Sequence, residues 1–270
     1  MKAIILAAGS GTRLGKYTKD MPKCMLSVRG KTLLERQLEA LAEAGVPKSD
    51  IVVVRGYMAD KIPQVRGVSY MLNPDYATTN MVATLVMARG ELLGSPDGAL
   101  VLYSDILYEP ALVKKMMAFK GDMGVLVDDD WLDYWKARLG GKWKEDVESM
   151  AIDKKDNIVE LGAPNCPLEK AMARYVGMLR FSKKGVSEFI RLFDENKKKL
   201  WESDEPWMHS MCFRKAQMTC MLQALIDLRV PVKAVRTSHG WLEFDTNEDY
   251  EKALSWIADG TMNRFINMTW

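Results

Sequence analysis

The amino-terminal residues carry the clearest chemical pattern in the chain. A short apolar run, Ala3 to Ala8, leads directly into Gly9-Ser10-Gly11-Thr12-Arg13, and a polar stretch then ends in Pro22-Lys23. Glycines let a backbone approach a ligand closely and turn its N–H groups toward phosphate oxygens. Arg13 and Lys23 add the cations that a polyphosphate needs, one as a planar fork and the other as a point charge. The pattern therefore predicts a polyphosphate-binding loop.

Two common nucleotide-binding loops do not fit this segment. A Walker loop ends in Gly-Lys followed by Ser or Thr, which is missing here. A dinucleotide-binding loop has a third glycine and an acidic residue at the end of the second strand, whereas Ile51–Val54 is followed by Arg55-Gly56. The alternative that stays open is an ordinary strand-to-helix turn with incidental basic residues.

Apolar strands alternate with helical patterns over the first half of the chain. We predict strands at Ile51–Val54, Val68–Leu72, Ala99–Tyr103 and Gly124–Val127, and helices at Lys31–Ala44 and Asn80–Leu93. This alternation is typical of an α/β fold with a doubly wound, mostly parallel, Rossmann-like sheet. In such sheets ligands bind beyond the carboxyl ends of the strands, where Gly9, Asp105 and Asp128–Asp130 all fall.

The pattern changes after Asp130. Val147–Ile152 and Asn157–Leu161 are predicted to form an antiparallel hairpin. Further elements are expected to be helices at Lys183–Leu200, Phe213–Leu228 and Glu248–Ala258, and a strand at Val232–Val235. Because no linker interrupts these elements, we predict a single domain over residues 1–270. A small antiparallel insert over about residues 128–180 would act as a lid and bind part of the substrate.

The composition narrows the class of protein. The chain is 48% hydrophobic and 27% charged, as expected for a soluble globular domain, and its net charge of +2 gives no support for a nucleic-acid-binding surface. No segment approaches the ~20 apolar residues of a membrane span. Two histidines and widely spaced cysteines (Cys24, Cys166, Cys212 and Cys220) argue against a zinc site. Reduced cysteines suit a cytoplasmic protein, and we expect that location.

The order of strand, Gly-x-Gly-Thr-Arg, spacer and Pro-Lys resembles the signature of the nucleotidyltransferases that join a nucleoside triphosphate to a sugar phosphate or a similar small phosphate. One branch of this family comprises cytidylyltransferases that act on phosphocholine and on aminoalkylphosphonates such as 2-aminoethylphosphonate. The chain resembles that branch in the order Asp128-Asp129-Asp130-Trp131, Tyr134-Trp135, Arg138, Asp146-Val147-Glu148 and Gly177. The resemblance covers nearly the whole chain, but only the first motif and Trp-x-Glu-Phe-Asp-Thr are specific. Lys16 departs from it, since a proline is common there.

This resemblance implies the main parts of a Mg²⁺-dependent site. Arg13 and Lys23 would be catalytic and hold the triphosphate, while Asp105 and Asp245 would hold the metal ion. The nucleotide would be bound by Leu6, Ala8, Gly9, Ser10, Gly11, Thr12, Asn80 and Thr84. Two structural alternatives remain open, because Asn80 could only cap a helix and Asp245-Thr246 could cap the last helix.

The middle of the chain is expected to bind the acceptor, which is the small phosphate or phosphonate that receives the nucleotidyl group. The predicted contacts are Asp129, Trp135, Arg138 and Tyr175. Carboxylates and aromatic faces suit a cationic amine or a quaternary ammonium group, and eight tryptophans are available for an aromatic cage. For any single tryptophan, packing in the core is the alternative. Arg138 would bind the acceptor phosphate or phosphonate, or pair with Asp146. Basic residues between positions 133 and 145 favour an acceptor with more negative charge than choline phosphate.

We therefore expect a cytidylyltransferase that moves CMP from CTP to a small phosphate or phosphonate and releases pyrophosphate. Because the attacking group is an anion, the reaction needs no strong general base and depends on positioning and charge neutralisation. One alternative is an enzyme of the same fold that uses UTP or dTTP with a sugar 1-phosphate. Another is a non-catalytic nucleotide-binding protein. The sequence leaves homo-oligomerisation open.

Overall fold

A seven-stranded sheet forms the centre of the computed structural model, which describes residues 1–268. The strands are β1 (Lys2–Ala7), β2 (Ser27–Val28), β3 (Lys31–Thr32), β4 (Ile51–Arg55), β5 (Ser69–Leu72), β6 (Ala99–Tyr103), β7 (Ile106–Tyr108), β8 (Met123–Asp128), β9 (Glu148–Ile152), β10 (Ile158–Pro164), β11 (Arg174–Phe181), β12 (Lys233–Thr237) and β13 (Trp241–Glu243). The order in the main sheet is β12-β8-β11-β6-β1-β4-β5. Every neighbouring pair is parallel except those of β11, which runs antiparallel to β6 and β8. The predicted mostly parallel α/β sheet is confirmed.

Helices cover both faces of this sheet. They are α1 (Gly15–Thr18), α2 (Leu33–Glu43), α3 (Met81–Met87), α4 (Arg89–Gly94), α5 (Pro110–Ala118), α6 (Trp131–Leu139), α7 (Lys183–Leu200), α8 (Met218–Asp227) and α9 (Asn247–Asp259). Successive residues of β1 alternate between two cores, since Ile5 packs in one and Ile4 and Leu6 pack in the other. Burial on both faces explains why the parallel strands are almost wholly apolar.

Several predicted elements differ in detail. The helix expected over Asn80–Leu93 is two short helices, α3 and α4, that meet at Ala88. Helices α5 and α6 were not predicted. The hairpin is present, because β9 and β10 pair antiparallel. Strand β11 lies within the predicted insert but belongs to the main sheet, so the small antiparallel part of the chain ends before Arg174.

A small two-stranded sheet joins the middle of the chain to its carboxyl-terminal part, beyond the carboxyl end of β6. Strands β7 and β13 pair antiparallel, with Glu243 opposite Ile106. Just beyond this pair, the backbone N–H of Phe244 donates to the carbonyl oxygen of Asp105 at 3.0 Å. This pairing places Asp245 beside Asp105.

The described residues give two further results on the protein's class. None of the helices within residues 1–268 is long and apolar enough to cross a membrane. All four cysteines are free thiols, and three of them, Cys24, Cys212 and Cys220, are buried.

Helix α6 turns an aromatic face toward the core. Trp135 is 0% exposed, and its ring centroid lies 5.8 Å from that of Tyr134 and 6.2 Å from that of Trp241. Tyr134 also packs edge-on against Trp241 at 5.0 Å. Aromatic pairs at these separations add to the stability gained from burial alone. The cluster therefore fixes α6 to the sheet.

We expect Trp135→Ala to lower the free energy of unfolding by about 3–5 kcal/mol, the usual cost of truncating a buried tryptophan. Urea unfolding followed by circular dichroism would measure the change. Trp143→Ala is the matched control, because Trp143 is only partly buried and lies beneath the ammonium groups of Lys136 and Lys144. Equal losses for the two variants would contradict a core role for Trp135.

Candidate active site

Two adjoining cavities lie at the carboxyl edge of the main sheet. The first, of about 130 Å³, is lined by the end of β1, the start of α3 and the end of β6. The second, of about 270 Å³, is lined by residues of the β9 and β11 region together with Glu243 and Asp245. Met81, Tyr103 and Asp105 line both cavities. The arrangement is a cleft with two compartments that meet at Asp105.

The glycine-rich loop is held against the cleft by backbone geometry. Gly11 has a φ of +61°, in the left-handed region that glycine adopts without strain. Its carbonyl oxygen accepts hydrogen bonds from the Leu14 N–H and the Thr18 hydroxyl, both at 2.9 Å. A Cβ at Gly11 would lie 3.2 Å from the Cβ of Lys23, so the small residue lets the loop pack directly on Lys23.

Lys23 bridges two carboxylates where the compartments meet. Its Nζ lies 2.6 Å from Oδ2 of Asp105 and 2.5 Å from Oδ1 of Asp245, and only 12% of its side chain is exposed. Burial by itself lowers the pKa of this ammonium group, but the two carboxylates outweigh burial and raise the pKa above its usual value. Lys23 is therefore a fixed positive charge.

Asp245 lies at the centre of a larger ionic network. Besides Lys23, its carboxylate contacts Arg13 at 3.2 Å and Arg138 at 3.7 Å. Burial raises the pKa of Asp245, but Lys23 and Arg13 more than offset it and lower the pKa to about 2. The carboxylate of Asp249 accepts the backbone N–H of Asp245 at 3.0 Å. Asp245 is thus held by cations around its side chain and by a hydrogen bond to its backbone.

The start of α9 settles which residue caps that helix. Thr246 is the N-cap, and its side chain and that of Asp249 form a reciprocal capping box. Asp245 precedes the cap and lines the second cavity, so it is not the residue that caps the helix.

The oxygen ligands suit a magnesium ion. Asp105 and Asp245 contact one and the same nitrogen atom, so their carboxylates converge on one point. Magnesium is commonly bound by one or two carboxylates, with phosphate oxygens and water completing the shell. Within residues 1–268 no group of three or more His, Cys, Asp or Glu side chains could hold a metal ion. The pair fits an ion that takes its other ligands from substrate, and the metal role stays a prediction.

Most predicted nucleotide contacts lie around the first cavity. Its lining includes Leu6, Ala8, Gly9, Asn80 and Thr84, together with Lys23. Ser10, Gly11 and Thr12 belong to the same loop but line neither cavity. Asn80 also caps α3, since its Oδ1 accepts the Met81 N–H at 2.9 Å. The cap and the cavity wall are therefore compatible roles for Asn80.

Of the predicted acceptor contacts, the structure brings only Tyr175 to the second cavity. Asp129 lines neither cavity and pairs with Arg236 at 2.7 Å. Trp135 is fully buried in the aromatic cluster and leaves no surface for a ligand. The sequence left open an ion pair between Arg138 and Asp146, but the structure does not show this pair. Arg138 is 4% exposed and donates to Glu243 and Asp249. Its buried position makes it a positioning residue that holds the segment around Asp245.

Several residues that line the second cavity were not predicted from the sequence to bind a substrate. They are Tyr103, Asp146, Glu148, Arg174, Gln217, Thr219 and Glu243. The guanidinium of Arg174 lies 4.0 Å from the ring centre of Trp135 and donates to the carbonyl oxygen of Asp146 at 3.0 Å. Asp146 and Glu148 are in the pattern that carried the family resemblance, but no local signal says that Arg174 lies beside them.

The fold and this cleft define the protein as a nucleotidyltransferase. The family model of the MobA-like NTP transferase domain matches residues 3–155, more than half of the chain. The chain belongs to this family. It is similar to CTP:phosphoglutamine cytidylyltransferase of Campylobacter jejuni, with 32% identity over 258 residues, covering 93% of this chain and 98% of that protein.

Further relatives confirm the resemblance to the cytidylyltransferase branch. Choline-phosphate cytidylyltransferase of Streptococcus pneumoniae is 40% identical over 98 residues, covering 35% of this chain and 42% of that protein. The solved structure of CTP:phosphocholine cytidylyltransferase from Streptococcus pneumoniae has a TM-score of 0.67 at 20% identity and covers 95% of this chain and 98% of that one. At this identity the structural likeness shows a shared fold.

The pKa of Asp245 leads to a prediction about stability and pH. Because the pKa falls from the ordinary 3.8 to about 2 on folding, the carboxylate stabilises the folded state above pH 4, and this contribution is lost as the pH falls through 2. The shift corresponds to about 2 kcal/mol. We expect Asp245→Asn to lower the free energy of unfolding more at pH 6 than at pH 2.5, as measured by urea unfolding.

Asp133→Asn is the control for that experiment, because Asp133 is 54% exposed and pairs only with Arg264 within residues 1–268. A difference between wild type and Asp245→Asn that stays the same at both pH values would show that the surrounding cations do not stabilise this carboxylate.

Proposed function

We propose that the protein is a Mg²⁺-dependent cytidylyltransferase that transfers CMP from CTP to a small phosphorylated or phosphonate acceptor and releases pyrophosphate. The observation that carries this proposal is the convergence of Lys23, Asp105 and Asp245 where two cavities meet. The choice of CTP is supported by the similarity, over nearly the full chain, to a protein named as CTP:phosphoglutamine cytidylyltransferase.

Each compartment would hold one substrate. The first would bind the nucleotide, because the carboxyl end of β1, Gly9 and the start of α3 surround it. The second would bind the acceptor, with its phosphoryl group directed toward Asp105 and Asp245. A phosphoryl oxygen of the acceptor would attack the α-phosphorus of CTP. The bond from this phosphorus to the oxygen that bridges to the β-phosphate would break, and pyrophosphate would leave.

The chain's own cations would stabilise the charge that moves onto the leaving group. Arg13 lines the second cavity and is 69% exposed, so its guanidinium can contact phosphate oxygens in addition to Asp245. Lys23 is buried and already charged, so it needs no proton transfer to act. Fixed charges in a partly dehydrated cleft stabilise such a transition state strongly, because they do not have to reorganise.

Asp105 and Asp245 would hold the metal ion, which when bound supplies further positive charge to the triphosphate and orients it. The ammonium group of Lys23 contacts the same carboxylate oxygens in the structure. Lys23 and a divalent cation would therefore compete for these oxygens until a triphosphate provides additional ligands for both cations.

The reaction can be tested with purified protein, Mg²⁺ and CTP, UTP, dTTP, GTP or ATP. Each triphosphate would be combined with phosphocholine, 2-aminoethylphosphonate, phosphoglutamine and glucose 1-phosphate, with pyrophosphate release measured and products identified by mass spectrometry. We expect a CMP adduct with CTP and at least one of the first three acceptors. Turnover with UTP or dTTP and glucose 1-phosphate, but not with CTP, would establish the sugar-phosphate alternative instead.

We expect Asp105→Asn to lower kcat on the order of 100- to 1,000-fold, as when one charge-stabilising group is removed from an active site. Circular dichroism and thermal unfolding would verify that the variant is folded. Asp133→Asn is the matched control, since Asp133 lies on the exposed side of α6 and lines neither cavity. Turnover retained by Asp105→Asn would remove Asp105 from the proposed metal site.

A further inference from the structure

The carboxylates that line the second cavity differ in their partners. Four of them contact a cationic side chain: Asp105 and Asp245 contact Lys23, Glu243 contacts Arg138, and Asp146 contacts Arg174. Glu148, at the start of β9, is the exception. Within residues 1–268 its carboxylate makes no hydrogen bond and no ion pair.

An unpaired carboxylate in this position is costly for the free protein. Glu148 is only partly exposed, and its burial raises the pKa of the carboxyl group, although Arg174 counteracts the rise. Taking a charged group out of water without a partner costs free energy unless something in the folded state replaces the lost hydration. A positively charged group of a bound ligand would serve as that partner, and the side chain faces the cavity in which the acceptor would lie.

The aromatic residues of the cavity limit which positive group fits. Quaternary ammonium groups are typically bound in cages of several aromatic rings. Within residues 1–268 no tryptophan lines either cavity. The second cavity has only Tyr103 and Tyr175 within the described residues, and their hydroxyls are hydrogen-bonded to each other at 2.9 Å. Their rings meet edge to face at 62° and do not form an enclosing cage.

The second cavity instead has side chains that can accept hydrogen bonds. Glu148, Gln217 and Thr219, whose side chains carry a carboxylate, an amide and a hydroxyl, all line the cavity. These groups can accept hydrogen bonds, which a primary ammonium group donates and a trimethylammonium group cannot. Hydrogen bonds to a charged group are about twice as strong as those between neutral groups. The wall is therefore better matched to an N–H-bearing cation.

We propose that the acceptor carries a primary ammonium group at the end remote from its phosphoryl group, and that Glu148 binds this ammonium and determines acceptor specificity. This inference rests on the proposed function. It favours aminoalkyl phosphates and phosphonates and phosphorylated amino-acid derivatives over phosphocholine.

Three acceptors that share an ethyl phosphate skeleton test the proposal: phosphoethanolamine ends in a primary ammonium group, phosphocholine in a trimethylammonium group, and ethyl phosphate in neither. The kcat/KM for CMP transfer would be measured with each, for wild type, Glu148→Gln and Glu145→Gln. Glu145 is the matched control, because it lies three positions earlier, is exposed and does not line the cavity. We expect wild type to prefer phosphoethanolamine over phosphocholine on the order of 10- to 100-fold, the equivalent of one charge-assisted hydrogen bond.

Glu148→Gln should lose most of this preference through a higher KM for phosphoethanolamine, while its kcat/KM for ethyl phosphate and its KM for CTP stay near the wild-type values. Glu145→Gln should behave as wild type. Adding 2-aminoethylphosphonate and phosphoglutamine to the panel would show whether the ammonium group belongs to an aminoalkyl chain or to an amino acid.

Two results would overturn this proposal and leave the proposed function standing. One is equal or faster turnover of phosphocholine by wild type. The other is an equal loss with all three acceptors in Glu148→Gln, which would mark a structural role. Absence of CMP transfer from CTP to every acceptor would overturn the proposed function, and this inference with it.

Discussion

The ammonium group of Lys23, held between Asp105 and Asp245, is the interaction on which the cleft depends. These residues are 82 and 222 positions from Lys23 in the sequence, so one buried cation joins the glycine-rich loop, the centre of the main sheet and the segment before the last helix. Like charges would drive the two carboxylates apart if they had no cation between them. A positive charge at this point is therefore a condition for the geometry of the cleft.

Several weaker constraints keep the carboxylates in place. The β7–β13 pair fixes the backbone beside Asp105, and the capping box of α9 fixes the backbone that follows Asp245. Arg138 adds a buried cation next to Asp245 and Asp249, while the hydroxyl of Tyr134 accepts the backbone N–H of Glu243 at 2.9 Å. Helix α6 thus positions the cleft in two ways: Tyr134 holds the backbone of Glu243, and Arg138 places a positive charge beside Asp245. Compared with well-packed apolar side chains of similar volume, buried ion pairs of this kind contribute little net stability, because desolvation offsets their attraction, but they define position.

The two compartments differ in their chemistry. The wall of the first cavity combines small residues at the end of β1 with polar and aromatic residues near the start of α3 and the end of β6, which would suit a nucleotide. The wall of the second carries many ionisable groups, and nearly all of them have partners within the protein. Under the proposed function, specificity for the acceptor would depend on Glu148, the carboxylate of this wall that makes no ion pair within residues 1–268. Gly177 makes room for this wall, since a Cβ there would lie 2.8 Å from the ring of Tyr103.

The sequence by itself determined the loop, the alternation of strands and helices and the aspartates at strand ends, because local periodicity and turn chemistry encode these features. The antiparallel β11 within a mostly parallel sheet was decided by tertiary structure, as was the burial of Trp135. An amphipathic aromatic helix can face a ligand or a core, and only packing against distant residues selects one of them. The same holds for Glu148 and Arg174, which belong to one cavity because β9 and β11 both reach it, a contact that no local pattern encodes.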